Sequence, residues 1–158
     1  MRRNLTPGAL ALLCALMAVP TPQPAAAQAA AGAAATVPVV NLAKLDYGLK
    51  ARALADGVYV VEGANADFSP ANGCNIINTG FITTGAGVLV INTGTSRLYG
   101  EQLRALIART TREPVVQVLH LNLHPDYFLG NQAFADVPIA ATADTRAGMQ
   151  REAASYET

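Results

Sequence analysis

Between residues 57 and 114 the chain runs as short β-branched segments fenced by glycine, closed by one stretch of helical period. Few architectures accept that order. Residues 58–62 (VYVVE) and 74–79 (CNIINT) read as strands, bounded by Gly57, Gly63, Gly73 and Gly80, with a polar loop at 64–73 between them. Residues 81–83, a Gly85-Ala86-Gly87 turn and residues 88–92 (VLVIN) read as a hairpin whose second strand is buried. Thr93-Gly94-Thr95-Ser96 supplies turn and cap chemistry for a helix. Tyr99, Leu103, Leu106, Ile107 and Thr110 then recur at helical spacing until Pro114 ends the segment. Residues 115–119 (VVQVL) form the next strand, residues 137–140 a short one, and a last amphipathic helix starts near Thr142. Strands followed by strand–helix–strand units predict an α/β layered fold with a mixed sheet and flanking helices.

The N-terminus has a different character. Arg2 and Arg3 precede a 12-residue apolar run at 8–19, Pro20 and Pro22 break it, and Ala25-Ala26-Ala27 offers a cleavage site. The run is shorter than the ~20 residues a membrane helix needs. Residues 1–27 are therefore expected to be a cleavable signal peptide of bacterial type, with the mature chain in the periplasm and no membrane span. Residues 28–40 read as an Ala-rich linker, with structure beginning near Asn41, firming up at Val58 and forming one domain over 41–158. Cleavage removes Arg2 and Arg3 from 11 basic residues and leaves all 11 acidic ones, a net charge of −2. That excludes a strongly basic nucleic-acid binder. With Cys14 in the signal, Cys74 has no intrachain disulfide partner and is expected as a small buried hydrophobe in its strand. Tyr47, Tyr59 and Phe81 are expected in the core or covering it. The glycines lack the lysine and spacing of a phosphate-binding loop and read as turn formers.

Both histidines of the chain lie in residues 120–131 (HLNLHPDYFLGN). On an extended strand end, His120, Asn122, His124 and Asp126 point the same way, at the carboxyl edge where open α/β sheets bind ligands. Imidazole nitrogen and carboxylate oxygen are zinc ligands, so His120, His124 and Asp126 form one candidate metal set. Residues four apart on a strand are about 13 Å apart at Cα, so this set needs a bend. The alternative is a pair of histidines that cap and hydrogen-bond at a loop entrance, with the His120 ring satisfied inside the strand.

Gly80-Phe81-Ile82, residues 88–94 (VLVINTG) and the His124-Pro125-Asp126 loop, in that order, resemble the metallo-β-lactamase fold. With Tyr99-Gly100-Glu101-Gln102-Leu103 and residues 129–134 (LGNQAF), the match over residues 55–158 is most similar to the quinoprotein relay system zinc metallohydrolases. The resemblance implies a layered αββα fold of which this chain carries the N-terminal half, since the helical pattern runs to Thr158 with no closing strand. It implies a zinc cofactor, zinc-hydroxide attack on an ester, amide or lactone of an unknown small-molecule substrate, and periplasmic quinoprotein dehydrogenase components as partners. By the motif H-x-H-x-D-H, His124 corresponds to a first-metal ligand. Asp126 corresponds to a second-metal ligand that also positions the catalytic water. Asn122 and Tyr127 stand where the motif has histidines, and Asn92 stands where the upstream I-D-T-G turn has its carboxylate. A catalytic zinc needs three protein ligands and an open position. A neutral amide oxygen and a phenol that must first lose its proton are poor substitutes for imidazole. The resemblance with these departures implies a hydrolase homologue that is impaired by itself. The other readings are a non-catalytic accessory protein of a quinoprotein dehydrogenase system and a truncated, non-functional fragment. A half domain would expose an apolar face, so self-association is expected.

Overall fold

Six strands pair in the order in which they occur in the chain. They are β1 (Arg52–Ala55), β2 (Val58–Val61), β3 (Thr79–Thr83), β4 (Val88–Ile91), β5 (Val115–His120) and β6 (Ile139–Ala141). The computed structural model describes residues 41–152 and residue 155, so the expected signal peptide at 1–27 and linker at 28–40 lie outside the described residues. The pairings from β1 to β4 are antiparallel, and β4–β5 and β5–β6 are parallel. The change of direction has a simple cause. A tight turn can only reverse the chain, whereas α1 (Arg97–Thr110) carries it from the end of β4 back to the start of β5. The carboxyl ends of β4 and β5 therefore lie side by side.

Helix α1 forms where its spacing predicts. Ser96 caps it, its Oγ accepting from the Tyr99 amide at 3.1 Å. Tyr99, Leu103, Leu106 and Ile107 recur three and four residues apart and are buried against Phe81, Val88, Val90 and Val118 of the sheet. Phe134 joins this core from a 3-10 turn at Leu129–Phe134, which lies along α1. Two further helices, α2 (Pro125–Phe128) and α3 (Ala143–Glu152), follow β5 and β6. None of the described helices is long and apolar enough to cross a membrane.

The hairpin, α1, β5, β6 and the start of α3 follow the sequence expectations. Three details do not. Of the strand expected at 74–79 only Thr79 is extended in the sheet: Gly73 and Cys74 both take left-handed φ angles, +54° and +61°. The Asn72 Oδ1 accepts from the Cys74 and Ser69 amides at 2.9 and 3.1 Å, which folds this stretch into a turn before β3 begins at Thr79. Cys74 is accordingly a half-buried turn residue, not a strand hydrophobe. Order in the sheet also starts earlier than Val58, because β1 pairs with β2 as an exposed edge whose Arg-Ala-Leu-Ala sequence carries no β-branched signal. Finally, α3 buries Gly148 against Leu123 and no apolar stripe, so it is not the amphipathic helix its position suggested.

Candidate functional site

The site is built where β4 and β5 end together. After Ile91, Asn92 adopts a left-handed φ of +57°, a conformation that asparagine tolerates better than most residues. Its amide donates to the Leu119 carbonyl at 3.0 Å, and its Oδ1 accepts from the Leu121 amide at 3.1 Å. The side chain thus extends the ladder beyond the end of β5. The Thr93 and Gly94 amides both donate to the Tyr127 carbonyl, at 2.8 and 3.3 Å, and the Gly130 amide donates to the Gly94 carbonyl at 3.0 Å. This approach is so close that a Cβ on Gly130 would collide with the Thr93 carbonyl.

His120, the last residue of β5, is 1% exposed. Its Nε2 lies 2.7 Å from Asn131 Oδ1, which also accepts from the Thr93 hydroxyl at 2.9 Å. With that oxygen as acceptor, Nε2 carries the ring hydrogen in the neutral form. The Phe128 ring stands edge-on to the imidazole, with centroids 6.2 Å apart. Burial pushes the His120 pKa down, against a smaller opposing effect from the Asn131 hydrogen bond. Burial thus disfavours the charged ring, and its Nδ1 is buried with no hydrogen-bond partner among the described residues.

The other expected site residues go elsewhere. β5 ends at His120 and α2 starts at Pro125, so the alternation that would put positions 120, 122, 124 and 126 on one face does not run through the loop. His124 is exposed at the N-cap of α2, and its amide donates to Asn122 Oδ1 at 3.0 Å. Asn122 thereby serves a local turn. Asp126 is 7% exposed in the first turn of α2. Tyr127 is half-buried, with its carbonyl tied to Thr93 and Gly94. Asn131 as the polar partner of His120, and Thr93 as the second donor to it, are not foreshadowed in the sequence; the 38 residues between Thr93 and Asn131 leave no local spacing that could reveal the pair.

A separate cavity of about 720 Å³ opens between a 3-10 turn at Leu42–Lys44, the loop after β2 and the start of α1. Leu42, Tyr47, Phe68, Pro70, Cys74 and Leu98 line it, and none of its lining comes from the His120 loop.

No protein-family model and no curated protein matches the chain. Solved structures do. The metallo-β-lactamase TMB-1 superposes with a TM-score of 0.52 at 18% identity, covering 66% of this chain and 48% of that one. FIM-1 from Pseudomonas aeruginosa, in its mono-zinc form, gives 0.54 at 14% identity over 66% of this chain and 46% of that one. A metallo-β-lactamase from Hirschia baltica gives 0.53 at 21% identity, over 65% and 48%. The fold is that of the metallo-β-lactamases. The chain spans about half the length of the solved structures it matches.

Zinc is the metal expected with the metallo-β-lactamase fold, and the residues present do not fit it. Among the described residues no group of three or more His, Cys, Asp and Glu side chains is placed to hold a metal ion. One imidazole is buried and bonded to an amide, and the other faces solvent. The structure does not gather His120, His124 and Asp126 into a metal-holding group.

Proposed function

We propose that this chain is an exported relative of the metallo-β-lactamase-fold hydrolases that keeps their scaffold without their zinc-hydroxide chemistry and acts as a non-catalytic accessory protein. The observation that carries this reading is the divergence of the two histidines: His120 turns into the core and His124 outward. A hydrolytic zinc needs three converging ligands and an open position for water. The large apolar cavity beside α1 supports a binding role. The Arg2-Arg3-led apolar run supports export to the periplasm. The likeness of residues 99–103 and 129–134 to quinoprotein relay hydrolases supports components of a quinoprotein dehydrogenase system as partners.

The test is elemental analysis of the purified chain for zinc, paired with hydrolysis of a chromogenic cephalosporin, an aryl ester and a lactone, with and without added zinc. The expected result is well under one zinc per chain and no turnover above buffer. One tightly held zinc together with zinc-dependent turnover would overturn the reading.

A further inference from the structure

We propose that the loop after β5 is closed by a hydrogen-bonded clasp, Thr93–Asn131–His120, which organises the end of the sheet without any metal ion. The inference deepens the reading above and rests on it, in that the chain's own residues hold no zinc. A single amide oxygen, Asn131 Oδ1, receives the Thr93 hydroxyl at 2.9 Å and His120 Nε2 at 2.7 Å. Thr93 follows β4, His120 ends β5 and Asn131 lies in the 3-10 turn at Leu129–Phe134, so one acceptor ties three segments. The two donors use both lone pairs of that oxygen.

The main chain repeats the same closure. The Tyr127 carbonyl takes two amides from the β4 end, the Gly94 carbonyl takes the Gly130 amide, and Asn92 Oδ1 takes the Leu121 amide. These contacts hold both flanks of the loop that a metal centre would otherwise gather. They also oppose a metal at Nε2, the ring nitrogen they engage, while Nδ1 is buried with no other His, Cys, Asp or Glu grouped with it among the described residues to complete a metal site. A zinc on His120 Nε2 would have to displace its hydrogen, break the bond to Asn131 and enter a site in which the ring is 1% exposed behind Phe128. The exposed His124 cannot provide a three-ligand site by itself.

The experiment uses the full chain, in the presence of either excess zinc chloride or a strong chelator. Thermal unfolding and amide hydrogen exchange of residues 121–131 are followed by calorimetry and mass spectrometry. The expected result is the same Tm and the same exchange in both solutions. Asn131→Leu, which leaves the His120 N–H and the Thr93 hydroxyl without an acceptor, should speed exchange in this segment by about tenfold or more, because an orphaned buried donor is costly. Adding His120→Phe to Asn131→Leu should recover part of the protection, since no imidazole N–H is then left unpaired. A Tm raised by stoichiometric zinc, or lowered by the chelator, would overturn the clasp through ordinary binding linkage. Unchanged exchange in Asn131→Leu would also overturn it. Should that variant not fold, the comparison of zinc and chelator on the parent chain decides alone. Hydrolysis in the same samples keeps the two readings apart. An inactive chain stabilised by zinc overturns the clasp and spares the accessory role, while an active chain whose loop ignores zinc does the reverse.

Discussion

The two ends of the β4–β5 strand pair are each tied by one side-chain oxygen that gathers donors from separate segments. At the amino end, Glu113 Oε2 accepts from the amides of Thr84, Gly85 and Gly87, all at 3.1 Å, and pins the hairpin turn to the start of β5. At the carboxyl end, Asn131 Oδ1 accepts from Thr93 and His120. The first oxygen belongs to a half-buried carboxylate, and water competes for two of its three donors, since Thr84 and Gly85 are exposed and Gly87 is buried. The second belongs to a neutral amide whose partners are buried, Thr93 fully and His120 to 99%. Losing the first returns two of its three donors to solvent, whereas losing the second leaves both donors on buried residues without an acceptor. The same bonding pattern is therefore peripheral at one end and structural at the other.

That contrast can be broken most forcefully at Gly130. A Cβ there meets the Thr93 carbonyl, a backbone atom that cannot move aside cheaply. Gly130→Ala should lower stability by about 3 kcal/mol in urea unfolding, near the upper end for overpacking. Gly85→Ala at the opposite end has free space around the new methyl and pays chiefly for its positive φ, so it should cost less. A reversed order would sink the claim that the carboxyl end is the tighter one.

Asn131→Leu sharpens the comparison further, with an expected loss of roughly 2 kcal/mol from two stranded donors. Its partner at the amino end, Glu113→Gln, keeps an acceptor in place and should cost under about 1 kcal/mol, with the difference shrinking at high salt. Chemical denaturation of both variants at low and high ionic strength tests the pair.

A pH effect should also come from beneath the carboxyl end, where Gly94 packs on the Tyr99 ring. Burial pushes the Tyr99 hydroxyl up to about 12, despite its 2.9 Å hydrogen bond to Thr79. Because the folded pKa lies above the unfolded value, Tyr99 contributes fully below pH 10. Stability is then lost as pH rises from 10 through 12, since the unfolded chain ionises first. Tyr99→Phe should remove that alkaline slope while leaving the hairpin end unchanged, which unfolding curves at pH 8 and pH 11 would show.

Much of the fold was legible because its signals are local. The hairpin announced itself through residues 81–83, the Gly85-Ala86-Gly87 turn and residues 88–92. α1 announced itself through Ser96 and the spacing of Tyr99, Leu103, Leu106 and Ile107. The resemblance to metallo-β-lactamases rested on the same stretches, and the solved structures bear out the fold. The strand expected at 74–79 failed because β-branched content was outweighed by the Asn72 side chain and two consecutive left-handed residues. β1 was missed because an edge strand can be formed by residues with little strand preference when a neighbour supplies the ladder.

The sequence by itself determined the hairpin turn, α1 and the crossover to β5, because each follows from residues within one or two turns of chain. It also brought His120, His124 and Asp126 to one loop at the carboxyl edge of the sheet. Only the tertiary structure decided which way each of them faces. His120 is committed to the core by Asn131, 11 residues on, and through it by Thr93, on the far side of α1. His124 is left outside because the chain turns into α2 at Pro125. A strand's alternation ends where its backbone ceases to be extended. Beyond that point a side chain faces whatever distant segment satisfies it.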